Sequence, residues 1–305
     1  MTLQTALDSF ILDQRLRGNT EKTIRGYQGI LTRFVAWLLE NGVSEMDALT
    51  LFSVQKYQLH LDAKPAERSG GEKLTKRSIQ TYMRHIRGFL KFCYAEGFRA
   101  DPLHEKIKLP KAERPVIEIL TNDEIKTILE SFSKSKIGLR NRVFICLLLD
   151  CGLRLSEAVG LKTENINFEK GYIKVLGKGR KERIVPAGLK IRRMMLAYVH
   201  KRRAADAAAD KYFFLTDDGK PITNGGVTSL IRRLKIRTGV ARLHAHLFRH
   251  TFATNFLIHG LGDVYELSRI LGHSEIRTTE KYLQLASYYT IIEKRSKLSF
   301  LDTQM

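Results

Sequence analysis

The chain has 305 residues, 43% of them hydrophobic, with 52 Lys and Arg against 32 Asp and Glu for a formal net charge of +20. That length suits two domains, and the composition is globular rather than disordered. A membrane protein is excluded, because no apolar run reaches the ~18 residues of a spanning helix.

The first third reads as helices. "TEKTIRGYQGILTRFVAWLLENG" starts at Thr20, which suits an N-cap, and stops at Gly42, which suits a C-cap. Tyr27, Leu31, Phe34, Val35 and Leu38 follow helical spacing. A polar loop, "KPAERSGGEK", covers residues 64–73. "LTKRSIQTYMRHIRGFLKFCYAEG" then repeats the design from Thr75 to Gly97. Ile79, Met83, Ile86, Leu90 and Cys93 share one face, while Arg77, Arg84, Arg87 and Lys91 share the opposite one. No acid interrupts that basic stripe, so it is expected to face phosphate. "DPLHEKIKLPKAERPVIEIL" holds three of the six prolines and reads as an extended linker, because proline disfavours helix at and before itself. The expected layout is a helical domain over 1–107 and a linker over 108–118.

A second domain opens at "LTNDEIKTILESF", where Thr121 and Glu124 have capping-box spacing. "NRVFICLLLDCG" reads as a buried helix closed by Gly152, and "LRLSEAVGL" starts another at once. "INFEKGYIKVLGKGRKERIVPA" reads as short strands around glycine turns. "ITNGGVTSLIRRLKIRTG", "LHAHLFRHTFATNFLIHG" and "VYELSRILGHSEIRTTEKYLQLA" follow, so the fold class is mainly α with a small β-sheet. This domain is expected over 119–290, with a C-terminal tail over 291–305. In the tail Ile291, Leu298 and Leu301 fall at helical spacing among Lys294, Arg295 and Lys297. Cys93, Cys146 and Cys151 form no CxxC pair and read as reduced core residues. The N-terminus lacks a signal pattern, which points to the cytoplasm and the nucleoid rather than a membrane. Most of the charge excess lies in the second part: residues 119–305 carry 33 basic and 18 acidic side chains. Such an excess favours a polyanionic partner, most simply DNA or RNA.

"HAHLFRH", residues 244–250, puts three histidines and an arginine together. His246 and His250 are i and i+4, as in a zinc helix, but Arg249 between them repels a cation and no Cys or carboxylate cluster lies nearby. No GxSxG elbow and no P-loop spacing occurs, so neither a serine nucleophile nor a nucleotide cradle is expected. Phosphate recognition remains. Arg249 has a planar fork for phosphate oxygens, and His246 has a hydrogen bond to offer beside it. "CGLRLSE" delivers Arg154 at a helix start, three residues before Glu157. "LGKGRKERIVP" puts Lys178 at a hairpin tip, and "LGHSEIRTTEKY" puts His273 at a helix start with Tyr282 nine residues later. Each of these alone has an ordinary structural explanation; together they form an ordered set.

That set resembles the tyrosine recombinase (phage integrase) family, whose catalytic order is Arg, Lys, His-x-x-Arg, His or Trp, then Tyr. The matching residues are Arg154, Lys178, His246, Arg249, His273 and Tyr282. The likeness covers about residues 119–290, and more loosely the first half, where the family has a helical core-binding domain. Phe248 stands where the family more often has Leu. The resemblance implies a site-specific DNA recombinase that works through a 3′-phosphotyrosyl intermediate, with no metal or other cofactor. Tyr282 would attack a phosphodiester, and Arg154 and Arg249, helped by His273, would stabilise the charge on its oxygens. His246 would accept the phenol proton and Lys178 would protonate the leaving 5′-oxygen. Glu157 and His250 would sit behind, and His244 would be a bystander. Partners implied are double-stranded recombination sites, a tetramer of the chain on paired sites tied together by the tail, and a separate excision factor. Integration or excision of a mobile element is the expected role. The alternatives are an Xer-type chromosome-dimer resolvase, a type IB topoisomerase, or a DNA-binding regulator that has lost catalysis.

Overall fold

The computed structural model describes residues 1–63, 73–112, 117–177, 182–202 and 211–296. The chain divides into two compact units, Met1–Pro115 and Val116–Met305. None of the described helices is long and apolar enough to cross a membrane.

The first unit is helical: α1 (Leu3–Leu16), α2 (Glu21–Glu40), α3 (Leu51–Ala63), α4 (Lys76–Ala95) and a single turn, α5 (Leu103–Lys106). Thr2, Thr20 and Thr75 cap α1, α2 and α4, each accepting the backbone N–H three residues on. Such caps contribute ~1 kcal/mol apiece by satisfying donors that a helix start leaves unpaired. Leu31, Phe34 and Leu38 of α2 pack with Ile86, Phe89 and Leu90 of α4 in the core of this unit. The apolar face expected on α4 is buried throughout, and Arg77, Arg84, Arg87 and Lys91 are exposed. α3 carries a weaker periodic signal, because Phe52 and Leu59 face solvent while Val54, Tyr57 and Leu61 go inside.

The proline-bearing stretch is not wholly extended. Pro102 stands at the N-cap of α5, where a missing N–H costs nothing. Leu103 and Ile107 enter the first core and Leu109 packs on it, whereas Ile117 packs in the second unit.

The second unit opens with α6 (Asn122–Glu130), whose Thr121–Glu124 capping box is formed in both directions. Next come α7 (Lys136–Cys151), α8 (Leu155–Val159) and a three-stranded antiparallel sheet in the order β1 (Ile166–Asn167), β2 (Tyr172–Leu176), β3 (Glu182–Pro186). α9 (Leu189–Arg202), α10 (Asn224–Thr238), α11 (Ala245–Ile258), α12 (Val264–Leu271) and α13 (Arg277–Ser296) follow. The architecture is mainly α with a small sheet. Ile173 and Val185 pair across the sheet and join Phe144, Leu148, Phe213, Phe214, Leu247 and Phe248 in the main core. α11 is buried on most of its circumference, which carries even Arg249 inside at 3% exposure. The expected separate tail is not separate where it is described: Ile291 continues the helix that holds Tyr282 and is exposed. Leu298, Leu301 and Lys297 lie outside the described residues.

α7 turns into α8 through Gly152, at φ 59°, a left-handed conformation that costs a side chain strain. A Cβ there would also lie 2.3 Å from the Phe252 ring. Gly152→Ala should therefore destabilise the second unit by ~2 kcal/mol or more, read as a lowered thermal unfolding midpoint.

Candidate active site

The ends of two helices gather the arginines. α7 stops on Gly152 and α12 on Gly272, both left-handed. A helix C-terminus leaves carbonyls without intrahelical donors, and its dipole attracts cations. Arg249 of α11 donates from Nη1 to Gly152 O at 2.6 Å and from Nη2 to Leu271 O at 2.8 Å. Arg154, at the N-cap of α8, donates from Nη2 to Gly272 O at 3.0 Å. Arg183 of β3 donates from Nε to Ile270 O at 2.7 Å. Three consecutive carbonyls at the end of α12 thus each hold a different guanidinium.

One carboxylate lies among these charges. Both oxygens of Glu157 accept from Arg183, at 2.8 Å each, and Oε1 also accepts from Arg154 Nη1 at 2.9 Å. Oε2 takes the Arg154 backbone N–H at 2.8 Å, so the same glutamate caps α8. The Glu157 side chain is 5% exposed. Burial pushes its pKa up, but the Arg183 and Arg154 hydrogen bonds outweigh burial and hold it at about 2.

α13 inserts Tyr282 into an apolar cluster of Ala253, Phe256, Leu267 and Leu271, leaving it 1% exposed. Its hydroxyl lies 2.8 Å from His250 Nδ1. Burial pushes the phenol up to about 12, although Arg249 and Arg154 pull the other way. The Lys281 ammonium sits 4.9 Å from the centre of the same ring. His273 stacks near Tyr282, with centroids 6.5 Å apart, and its Nε2 is 3.1 Å from Arg249 Nη2. A guanidinium only donates, so Nε2 accepts and Nδ1 carries the hydrogen, donated to Thr279 Oγ1 at 2.8 Å. His246 is exposed one turn before His250, their rings 6.2 Å apart. Burial and then nearby cations depress all four histidines: His244 and His246 fall, and His250 and His273 reach about 4.

The model of the phage integrase family matches residues 118–288, and that of the phage integrase N-terminal SAM-like domain matches residues 8–97. The chain belongs to the phage integrase family. The family is that of the tyrosine recombinases, which catalyse DNA cleavage and strand transfer, and this chain is a site-specific recombinase of that kind. It is 28% identical to tyrosine recombinase XerD of Staphylococcus aureus over 93% of this chain and 95% of that one. It is 29% identical to XerD of Bifidobacterium longum over 91% of each. In fold it is similar to the Tn1549 transposon integrase solved with transposon right-end DNA, at a TM-score of 0.73 and 20% identity over 98% of this chain and all of that one. XerH recombinase bound to its palindromic difH substrate gives a TM-score of 0.71 at 19% identity, covering 94% of this chain and 82% of that one.

Of the residues the family pattern singles out, Arg154, Arg249, His273 and Tyr282 come together around the end of α12. Lys178 lies outside the described residues, between β2 and β3. His273 does not start a helix; it follows the left-handed turn that ends α12, four residues before α13. His244 is more than a bystander, because its Nδ1 caps α11 by accepting the Leu247 N–H at 3.2 Å. His250, expected behind the site, instead contacts the tyrosine hydroxyl, the contact expected of His246. Arg183 was missed. Its signal is strand alternation: Ile184 points outward at 59% exposure, so Arg183 and the buried Val185 point in. The Arg77, Arg84, Arg87 and Lys91 stripe stands in the first unit, where Arg84 also donates to Gln80 at 2.8 Å.

The depressed histidines fix a pH dependence. Above pH 6.5 His250 and His273 are neutral folded or unfolded; as pH falls towards 4 the unfolded chain takes up protons that the fold resists. Stability should therefore be lost between about pH 6.5 and 4. Thermal unfolding across that range should flatten in the double variant His250→Gln, His273→Gln.

Proposed function

We propose that Tyr282 attacks one DNA phosphodiester, forming a 3′-phosphotyrosyl bond and releasing a 5′-hydroxyl that later reverses the step on a partner strand. The observation that carries this reading is the hydroxyl of Tyr282 set near Arg249 and Arg154, beside a cluster in which, among the described residues, three guanidiniums share the one carboxylate of Glu157. Such a cluster has unspent positive charge for a phosphate. Arg249 has protein acceptors for three of its five N–H bonds, which leaves two for phosphate oxygens once movement at the site uncovers this buried side chain. Arg154 reaches the same space, its side chain 32% exposed. His246, exposed beside them, and His273 complete the clamp by donating to the oxygens, which requires His273 to give up its Arg249 contact and to take up a proton on Nε2 beside the phosphate. Glu157 keeps Arg154 oriented, and Lys178 protonates the leaving oxygen. No metal or other cofactor enters the scheme. Because Tyr282 is buried, the N-terminal part of α13 shifts as the phosphate arrives.

The Arg77, Arg84, Arg87 and Lys91 face of the first unit lies along the DNA backbone, releasing counterions. The working assembly is a tetramer on paired DNA sites inside the cytoplasm. The segment after Tyr282 links each protomer to its neighbour, so the exposed Tyr288, Ile291 and Ile292 are covered there. A separate factor sets the direction of excision. Two biological roles each have support. Integration or excision of a mobile element is favoured by the likeness in fold to the solved part of the Tn1549 transposon integrase. A chromosome-dimer resolvase is favoured by the likeness to XerD. Attachment-like repeats flanking the gene would decide for the mobile element.

A nicked duplex, selected from a random-sequence pool by binding to the chain, supplies the test substrate. Tyr282→Phe should abolish covalent attachment to it while leaving binding nearly intact; a phosphotyrosyl peptide mapping to Tyr288 or Tyr289 would overturn the assignment. Arg249→Lys should slow single-turnover cleavage on the order of 10²–10³-fold, because an ammonium cannot reproduce the fork. Wild-type cleavage by that variant would remove Arg249 from the clamp.

A further inference from the structure

We infer that Arg183 is a positioning residue for DNA cleavage: it occupies the open face of the Glu157 carboxylate, so that Arg154 keeps its charge and its free N–H groups for the phosphate. This rests on Arg154 belonging to the phosphate clamp, and it gives a task to a guanidinium that the clamp itself does not use.

An ionised carboxylate offers about four acceptor sites, two on each oxygen. Four N–H groups reach Glu157. Arg183 takes one site on each oxygen, Nη1 on Oε1 and Nη2 on Oε2, both at 2.8 Å. That fork-on-fork pairing is the strong geometry between an arginine and a carboxylate. The Arg154 backbone N–H takes the second site on Oε2. One site remains on Oε1, and Arg154 Nη1 fills it at 2.9 Å. A single bond to the carboxylate leaves Arg154 Nη2 to reach Gly272 O at 3.0 Å. Arg183 itself is poorly placed for a ligand: its Nε is on Ile270 O, and its side chain is 10% exposed against 32% for Arg154. It lies against the turn that ends α12, where a Cβ on Gly272 would come within 2.9 Å of its Cδ. None of these contacts involves α13, the element that must shift for Tyr282 to reach a phosphate.

The electrostatics point the same way. Glu157 is ionised, because the Arg183 and Arg154 bonds outweigh the burial of its side chain. Two guanidiniums against one carboxylate leave the trio with one positive charge to spare. Without Arg183 the trio becomes a neutral pair, and both oxygens of Glu157 have a free site facing Arg154. The carboxylate would then draw Arg154 into the bidentate pairing that Arg183 now holds. Such a pair is self-contained. It neutralises Arg154 and commits both ends of its fork, in a partly buried space where opposite charges attract more strongly than in water. Arg154 would leave Gly272 O and have less charge and fewer donors for a phosphate. Arg183 therefore keeps Glu157 a guide for Arg154 rather than a sink for its charge.

The test is single-turnover cleavage of the selected nicked duplex by single and double variants, with unfolding and DNA binding measured for each. Arg183→Gln should cleave on the order of 10²-fold more slowly, near the cost of losing one preorganised donor, while its affinity for the duplex changes little. Adding Glu157→Gln removes the competing charge and still lets the side chain accept the Arg154 backbone N–H, so the double variant should regain most of the lost rate. Arg183→Lys keeps the charge but not the fork, and should fall between Arg183→Gln and the wild type. An arginine with a merely structural role gives the opposite order, because a second substitution among packed partners adds to the damage or leaves it unchanged. A folded double variant no faster than Arg183→Gln would overturn the proposal, as would wild-type cleavage by Arg183→Gln. Should either glutamine variant fail to fold, Arg183→Lys decides, on a duplex whose cleaved phosphate, mapped with the wild type, is replaced by a methylphosphonate. That centre lacks one anionic oxygen and needs Arg154 less, so the deficit of Arg183→Lys should shrink there. An undiminished deficit, or no deficit on ordinary DNA, would overturn the proposal. Wild-type cleavage by Arg154→Ala would instead remove Arg154 from the clamp.

Discussion

Three guanidiniums crowd one pocket, and the buried carboxylate of Glu157 is what lets them coexist. Arg154 and Arg183 both bond to it, and Arg183 comes from the sheet while Arg154 opens a helix. Removing that one negative charge would leave like charges facing each other in a partly desolvated space, where repulsion is far stronger than in water. The second support is geometric. Left-handed turns at Gly152 and Gly272 aim helix-end carbonyls inward, and every arginine of the site is anchored on at least one of them. These contacts satisfy part of each guanidinium. The α12 end is therefore the common scaffold for residues that the chain supplies from four separate elements.

Burial and the same excess of positive charge together set the titrating groups. Burial first and then that charge depress His250 and His273, while at Tyr282 burial outweighs the charge and keeps the phenol neutral. A site poised in this way is short of an anion, and a phosphodiester is an anion whose charge grows in the transition state. The site's preorganisation lies in its fixed donors, while the phenol beside them stays neutral.

Much of the fold could be read from local chemistry. Thr20, Thr75 and Thr121 as caps, Gly152 as a stop and the apolar face of α4 follow from rules that act within a few residues. α3, the turn at Leu103–Lys106 and the unbroken run of α13 past Tyr282 were less legible. There, burial against other elements or a proline at a helix start decides the outcome, and periodicity over a short window does not report it.

The sequence by itself determined the kind of chemistry. Arg154, Arg249, His273 and Tyr282, each in its local context and in order, carry a resemblance to the family that the match over residues 118–288 bears out. Only the tertiary structure decided which atoms meet. The i, i+4 step from His246 to His250 places both rings on one side of α11, but it does not say which of them α13 will bring its tyrosine against. Arg183 was invisible for the same reason. Strand alternation turns it inward, yet its partners Glu157 and Ile270 lie 26 and 87 residues away, joined only when the sheet packs on α8 and α12. Short-range propensity sets what each segment is; the long-range packing of α11, α12, α13 and β3 sets which side chains share a proton or a charge.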